Sequence, residues 1–216
     1  MTSAVIFDFD LTLVDSSAGF LDCHAFAART LGLPLPEPAT ILGTIGTPLP
    51  LAYPRLVGDR HPELVDEYIR LYQARADAVM TGLTVTLPGV RATLIALREA
   101  RLPLAIVSQK LRYRIEAVLE RDALRDFFST LIGGEDLTAL KPDPEGLLKA
   151  ATGLGVAPAA ALYVGDTLID AEAAKRAGMP FVAVLSGVTP AEAFSAYEVR
   201  AVLDSVAGLP TLLREA

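Results

Sequence analysis

The chain has 216 residues, 52% of them apolar, and a net charge of −7. That length allows one good core, or a core with a small accessory domain, and the acidic balance argues against nucleic acid or an anionic membrane as partner. No apolar run approaches the ~20 residues of a membrane span, no basic region precedes the first apolar run, and the single cysteine, Cys23, forbids an internal disulfide; a cytoplasmic protein, monomeric or homodimeric, is expected.

In chain order, Val5-Ile6-Phe7 reads as a buried strand. It delivers two carboxylates two residues apart, Asp8 and Asp10. Acids that close repel unless a cation or a proton lies between them. After Ser16 the pattern turns helical. Residues 18–31 place Phe20, Leu21, His24 and Ala28 on one side, Pro34, Pro36 and Pro38 break the chain, and Leu42 to Pro50 reads as a Gly/Pro-rich loop. A second amphipathic pattern runs from Pro62 to Val79 through Leu64, Tyr68, Leu71 and Tyr72. No strand separates these helices, so 17–86 reads as a helical insertion.

The α/β alternation resumes at Pro88. Strands are expected at 104–107, 130–133, 161–165, 180–184 and 201–203, the last at an edge, with helices near 111–120, 144–153 and 168–177. Repeated β-then-α order implies a parallel, Rossmann-like sheet covered by helices on both faces. The expected organisation is an α/β core of residues 1–16 and 87–216, with 17–86 as a helical cap domain. Three further segments place polar groups at or just beyond strand ends: Ser108; Lys141-Pro142; and Gly165-Asp166-Thr167-Leu168-Ile169-Asp170. Ligands of an open parallel sheet bind at the carboxyl ends of its strands, so all four segments converge there. Taken alone, Asp166 and Asp170 also suit a helix N-cap and a first-turn acid, and Ser108 a strand-end serine.

The ordered set Asp8-Phe9-Asp10-Leu11-Thr12, Ser108, Lys141-Pro142 and Gly165 to Asp170 resembles the four motifs of the haloacid dehalogenase (HAD) superfamily, in its phosphoglycolate-phosphatase-like branch. The resemblance covers nearly the whole chain. Leu11 departs from it where many relatives carry glycine, and Gln109 where a small residue or asparagine is common. The resemblance implies an Mg²⁺-dependent phosphatase for a small phosphorylated metabolite. Asp8 would be the nucleophile that forms an aspartyl-phosphate, and Asp10 the general acid and base. Ser108, Lys141 and Thr12 would hold the phosphoryl group or its loop. Asp8, Asp10 (through its main-chain carbonyl) and Asp166 would ligate the metal, with Asp170 orienting a metal water or Lys141.

Within the cap, Gly46 and Thr47 of the Gly43–Pro48 loop, with Arg55 or Arg60, are candidates for reading the substrate. No lysine lies between Ser17 and Leu87, against a Schiff-base phosphonate cleavage. Phe20 stands where mutases of the β-phosphoglucomutase type carry a hinge histidine. Phosphoglycolate is one candidate ester; pyrophosphate, a sugar phosphate or a nucleotide are others. A sugar phosphomutase and a non-catalytic phosphoacceptor module are the alternatives.

Overall fold

A computed structural model describes residues 2–58 and 61–215. In chain order the elements are β1 (Ala4–Phe7), β2 (Val14–Asp15), α1 (Ser17–Thr30), α2 (Pro38–Leu42), α3 (Leu49–Val57), α4 (Val65–Leu83), β3 (Val85–Thr86), α5 (Val90–Glu99), β4 (Leu104–Val107), α6 (Arg112–Arg121), β5 (Thr130–Ile132), α7 (Glu145–Gly153), β6 (Ala161–Gly165), α8 (Leu168–Ala177), β7 (Phe181–Val184), β8 (Ala201–Leu203) and α9 (Leu209–Arg214). They fall into two compact units, Met1–Val14 with Thr86–Ala216, and Asp15–Val85.

The first unit is built on a six-stranded sheet in the order β5-β4-β1-β6-β7-β8. Every pairing is parallel: Val5 lies opposite Leu104 on one side and Leu162 on the other. β1, β4, β6 and β7 are buried along their whole length. That explains why they read as unbroken apolar runs and not as alternating ones. Alternation reappears in where the side chains go. Val5 and Phe7 join a core with Val90, Leu94 and Leu97 of α5 and Ile115 and Val118 of α6. Ala4 and Ile6 join the opposite core, with Leu147 and Ala150 of α7 and Ala171 and Ala174 of α8. Each large apolar side chain so buried contributes roughly 1.5–3 kcal/mol. This two-faced burial holds the strand ends, and the residues that leave them, in fixed relation.

The second unit is helical. α1 and α4 pack through Cys23, Ala27, Tyr68, Leu71, Tyr72 and Met80. His24 is fully buried there; its Nδ1 pairs with the Tyr68 hydroxyl at 3.0 Å, while Nε2 has no partner. Burial pushes its imidazole down to about 4, so the ring is neutral at pH 7, a packing role.

Local structure departs from the sequence reading in three places. The prolines after α1 read as breakers, yet Pro38 opens α2, and α3 starts directly after Pro48 with Pro50 in its first turn. A proline N–H would have no helical acceptor in a first turn, so its absence costs nothing there. The long helix starts at Val65, after a 3₁₀ turn at Pro62–Leu64, and continues to Leu83. Beyond Ser186, where the sequence is least informative, lie a fully buried Phe194 and the short helix α9.

Candidate active site

The four segments singled out in the sequence meet at the carboxyl ends of β1, β4 and β6. The Asp8 N–H donates to the Val164 carbonyl at 2.8 Å, and the Ser108 N–H to the Ile132 carbonyl at 3.0 Å. These bonds extend the ladders one residue beyond the strands. Asp8, Asp10, Thr12, Ser108, Lys141, Asp166 and Asp170 are all buried.

Lys141 is the hub. Its Nζ donates to Asp8 Oδ1 at 2.9 Å, to Asp170 Oδ1 at 2.6 Å and to the Tyr163 hydroxyl at 3.0 Å. Burial opposes its charge, but the two carboxylates outweigh burial and hold the ammonium above its ordinary range. Asp170 accepts two further bonds, from the Thr167 N–H at 3.1 Å and the Thr167 hydroxyl at 2.5 Å. Burial raises its pKa, but Lys141 and the surrounding donors reverse this and leave the carboxyl below its usual range. Asp170 is also the third residue of α8 in a capping box with Thr167, so it is the expected first-turn acid, while the N-cap is Thr167 and not Asp166. Gly165 permits the approach, since a Cβ there would lie 2.6 Å from Asp170 Cγ.

Thr12, expected to hold the phosphoryl group or the nucleophile loop, donates its hydroxyl to Asp166 Oδ1 at 3.0 Å. It therefore orients a carboxylate. The Asp10 side chain pairs with a residue outside the expected set: its Oδ1 lies 2.5 Å from Lys110 Nζ, which leaves the main-chain carbonyl as the ligand atom expected of Asp10. The loop that carries Asp8 and Asp10 turns through Leu11, which adopts a left-handed backbone at φ 59°. Left-handed geometry is unfavourable for a residue with a Cβ, which explains why glycine suits this position. Here the turn is tied by the Leu11 N–H to the Val14 carbonyl at 2.7 Å and by the Ser186 hydroxyl to the Leu11 carbonyl at 2.6 Å.

Asp8, Asp166 and Asp170 each bring one oxygen within 4.8 Å of the others. Burial pushes the Asp8 carboxyl up to about 7, against the pull of Lys141 and with added repulsion from Asp170 and Asp10. Asp166 is raised well above the ordinary carboxylate range by burial and by the charges of Asp170 and Asp8. Its Oδ2 is buried with no hydrogen-bond partner. A Cβ on Gly187 would collide with that same oxygen. A repulsive acid cluster with an orphaned oxygen fits a hard cation, which takes carboxylate oxygens and neutralises them. These buried carboxylates could hold a metal ion.

Three participants escape the sequence reading. Tyr163 sits mid-strand among core residues; its signal is that a fully buried phenol needs a polar partner. Gly187 and Lys110 are the others. Lys110 is detectable only as one of four lysines in the chain, two residues after the motif serine. Among the cap candidates, Gly46 has φ 80° and Thr47 follows it in the loop between α2 and α3, Arg55 is exposed on α3, and Arg60 lies outside the described residues. Among the described residues, no helix is long and apolar enough to cross a membrane.

Comparison with known proteins places this geometry in context. Residues 5–184 match the model of the haloacid dehalogenase-like hydrolase family. A probable phosphatase, IndB, of Dickeya dadantii is 32% identical over 208 residues, spanning 95% of this chain and 90% of its own. A phosphoglycolate phosphatase of Cereibacter sphaeroides is 34% identical over 194 residues and 85% of each chain. The crystal structure of a haloacid dehalogenase-like hydrolase from Bacteroides fragilis superposes with a TM-score of 0.92 at 35% identity, over 97% of this chain and 100% of the other. With the motif set, the sheet order and these relatives in agreement, the chain belongs to the haloacid dehalogenase-like hydrolases.

Proposed function

We propose that this chain, a HAD-type phosphoric monoester hydrolase, uses Mg²⁺ to hydrolyse a small phosphomonoester through an aspartyl-phosphate on Asp8. The observation that carries this is the arrangement around Asp8. One oxygen is held by Lys141 at 2.9 Å, and Asp8 shares a buried acid cluster with Asp166, one oxygen of which has no hydrogen-bond partner. Phosphoryl transfer depends on positioning and charge neutralisation more than on covalent chemistry. Lys141, fixed by three partners, aims Asp8 and supplies positive charge where the phosphoryl oxygens would lie. Ser108, just beyond the end of β4, would donate to one of those oxygens. The Asp8 carboxylate attacks phosphorus, the ester P–O bond breaks, and Asp10 gives its proton to the leaving oxygen. Asp10, now a carboxylate, takes a proton from water as that water attacks phosphorus, releasing inorganic phosphate and restoring Asp8. When bound by Asp8 and Asp166, with the Asp10 carbonyl, Mg²⁺ would neutralise the charge between carboxylate and phosphate.

Phosphoglycolate is the favoured ester, since several relatives are phosphoglycolate phosphatases by name. Hydrolysis is favoured over phosphoryl transfer between sugar positions, because Phe20 packs its ring on Tyr72 and His24 and carries no transferable proton. Release of phosphate from p-nitrophenyl phosphate and 2-phosphoglycolate, with Mg²⁺ and with excess chelator, tests the reading. Turnover only with the cation is expected. No turnover of either ester, or undiminished turnover in chelator, would overturn it.

A further inference from the structure

The geometry points to Lys110 as a specificity-determining residue that binds a carboxylate on the leaving alcohol, next to the ester oxygen; this deepens the phosphatase reading above and rests on it. The Lys110 Nζ lies 2.5 Å from Asp10 Oδ1, with the two side chains 5% and 8% exposed, and 5.8 Å from the Phe9 ring centroid. Its backbone N–H donates to Ser108 Oγ at 3.3 Å. The same short loop therefore launches both the phosphate-side serine and this ammonium.

The two buried lysines divide the site. Lys141 serves Asp8 and Asp170, on the side where phosphorus is attacked. Lys110 serves Asp10, on the side where the alcohol departs. Removing an ammonium from water costs several kcal/mol, and a neutral donor would orient Asp10 more cheaply. A full charge at that place is better explained by an anion on the leaving group. The distances agree. An ester oxygen bonded to Asp10 at ~2.7 Å sits about 5 Å from an ammonium bonded to the same carboxylate. A carboxylate one carbon from that ester oxygen spans the gap and can accept a charge-assisted bond from Nζ. A neutral alcohol cannot. The substrate class is then the 2-phospho-hydroxyacids, and discrimination for them lies in the α/β unit itself.

The test compares 2-phosphoglycolate with 2-hydroxyethyl phosphate, in which a hydroxymethyl group replaces the carboxylate. The quantity read is the ratio of their kcat/KM values in wild type, Lys110→Met and Lys110→Arg, with folding checked by circular dichroism. Wild type should favour phosphoglycolate. Lys110→Met should lower the ratio on the order of tenfold or more, chiefly through KM for phosphoglycolate, and Lys110→Arg should keep most of it. A role confined to holding Asp10 would reduce both esters equally and leave the ratio unchanged; that result, or a wild-type ratio near one, would overturn the inference. Turnover of neither ester, nor of p-nitrophenyl phosphate, by wild type with Mg²⁺ would overturn the phosphatase reading itself, and the inference with it.

Discussion

Replacing Lys141 with methionine isolates the physical heart of the site. The side chain is 3% exposed and its ammonium is shared by Asp8 at 2.9 Å and Asp170 at 2.6 Å. Methionine keeps much of the volume but strands two buried carboxylates. Breaking a buried ion pair by removing one partner costs about 3–5 kcal/mol. For a chain of this size, where 1 kcal/mol moves the melting point by about 2–4 °C, the expected fall is about 6–20 °C. The loss should depend on pH with a definite sign. Without Lys141 the Asp170 carboxyl, now held below its usual range, rises like Asp8. An acid whose folded pKa is raised costs nothing below the unfolded value near 4, and its penalty builds as pH rises from there to the folded pKa, above which it is complete. The penalty should therefore be largest at pH 8 and shrink towards pH 5. Adding Asp170→Asn removes one stranded charge, so the double variant should be more stable than the sum of the single losses by about 0.5–3 kcal/mol. Urea unfolding of the metal-free proteins across pH 5–8 gives these numbers. A loss under about 1 kcal/mol for Lys141→Met, or strict additivity with Asp170→Asn, would refute the shared-cation argument.

Other outcomes follow from the same geometry. Asp10→Asn should lower kcat by roughly 10²–10⁴-fold, as expected for loss of a general acid, measured by steady-state phosphate release. Mg²⁺ at a hundred times its Kd should raise stability by about 2.7 kcal/mol, a shift of about 5–11 °C in a thermal scan. The shift should be absent in Asp166→Asn, and smaller at pH 5.5 than at pH 8, because burial raises both Asp8 and Asp166 and protons then compete with the cation. In the helical unit, His24 has its folded pKa lowered from 6.5 to about 4, so the unfolded chain binds the extra proton between those values and stability falls as pH drops from 6.5 towards 4. The full effect is about 3 kcal/mol. His24→Gln should be less stable than wild type at pH 7, with the gap closing on acidification, read by chemical denaturation; a gap independent of pH would count against a buried neutral ring.

The sheet was legible because strands buried on both faces write themselves as short apolar runs, and because polar groups at their ends stand out against them. Asp8, Ser108 and Asp166 each sit within a residue of such a run, so convergence could be inferred without coordinates. The less legible parts depend on contacts made far along the chain. Tyr163 looks like one more core residue until Lys141 and Asp170 reach its hydroxyl. The bond of the Thr12 hydroxyl to Asp166, 154 residues away, depends on tertiary proximity that no local pattern shows. Lys110 is a polar loop residue by every local measure; its burial on Asp10 is set by the packing of β1 against β4. The proline-rich stretch was misread because the same residue that ends a helix from within also begins one from its first turn, and Pro38 and Pro50 do the latter.

The central claim is that Asp8 carries the phosphoryl group, and trapping that adduct tests it most directly. Enzyme mixed with substrate and Mg²⁺ is quenched in acid during turnover, digested, and its peptides are analysed by mass spectrometry. A phosphoryl adduct confined to Asp8 in the wild type, and absent from a folded, inactive Asp8→Asn variant, is the predicted result. Turnover near the wild-type rate by Asp8→Asn, or an adduct on a different residue, would contradict the account.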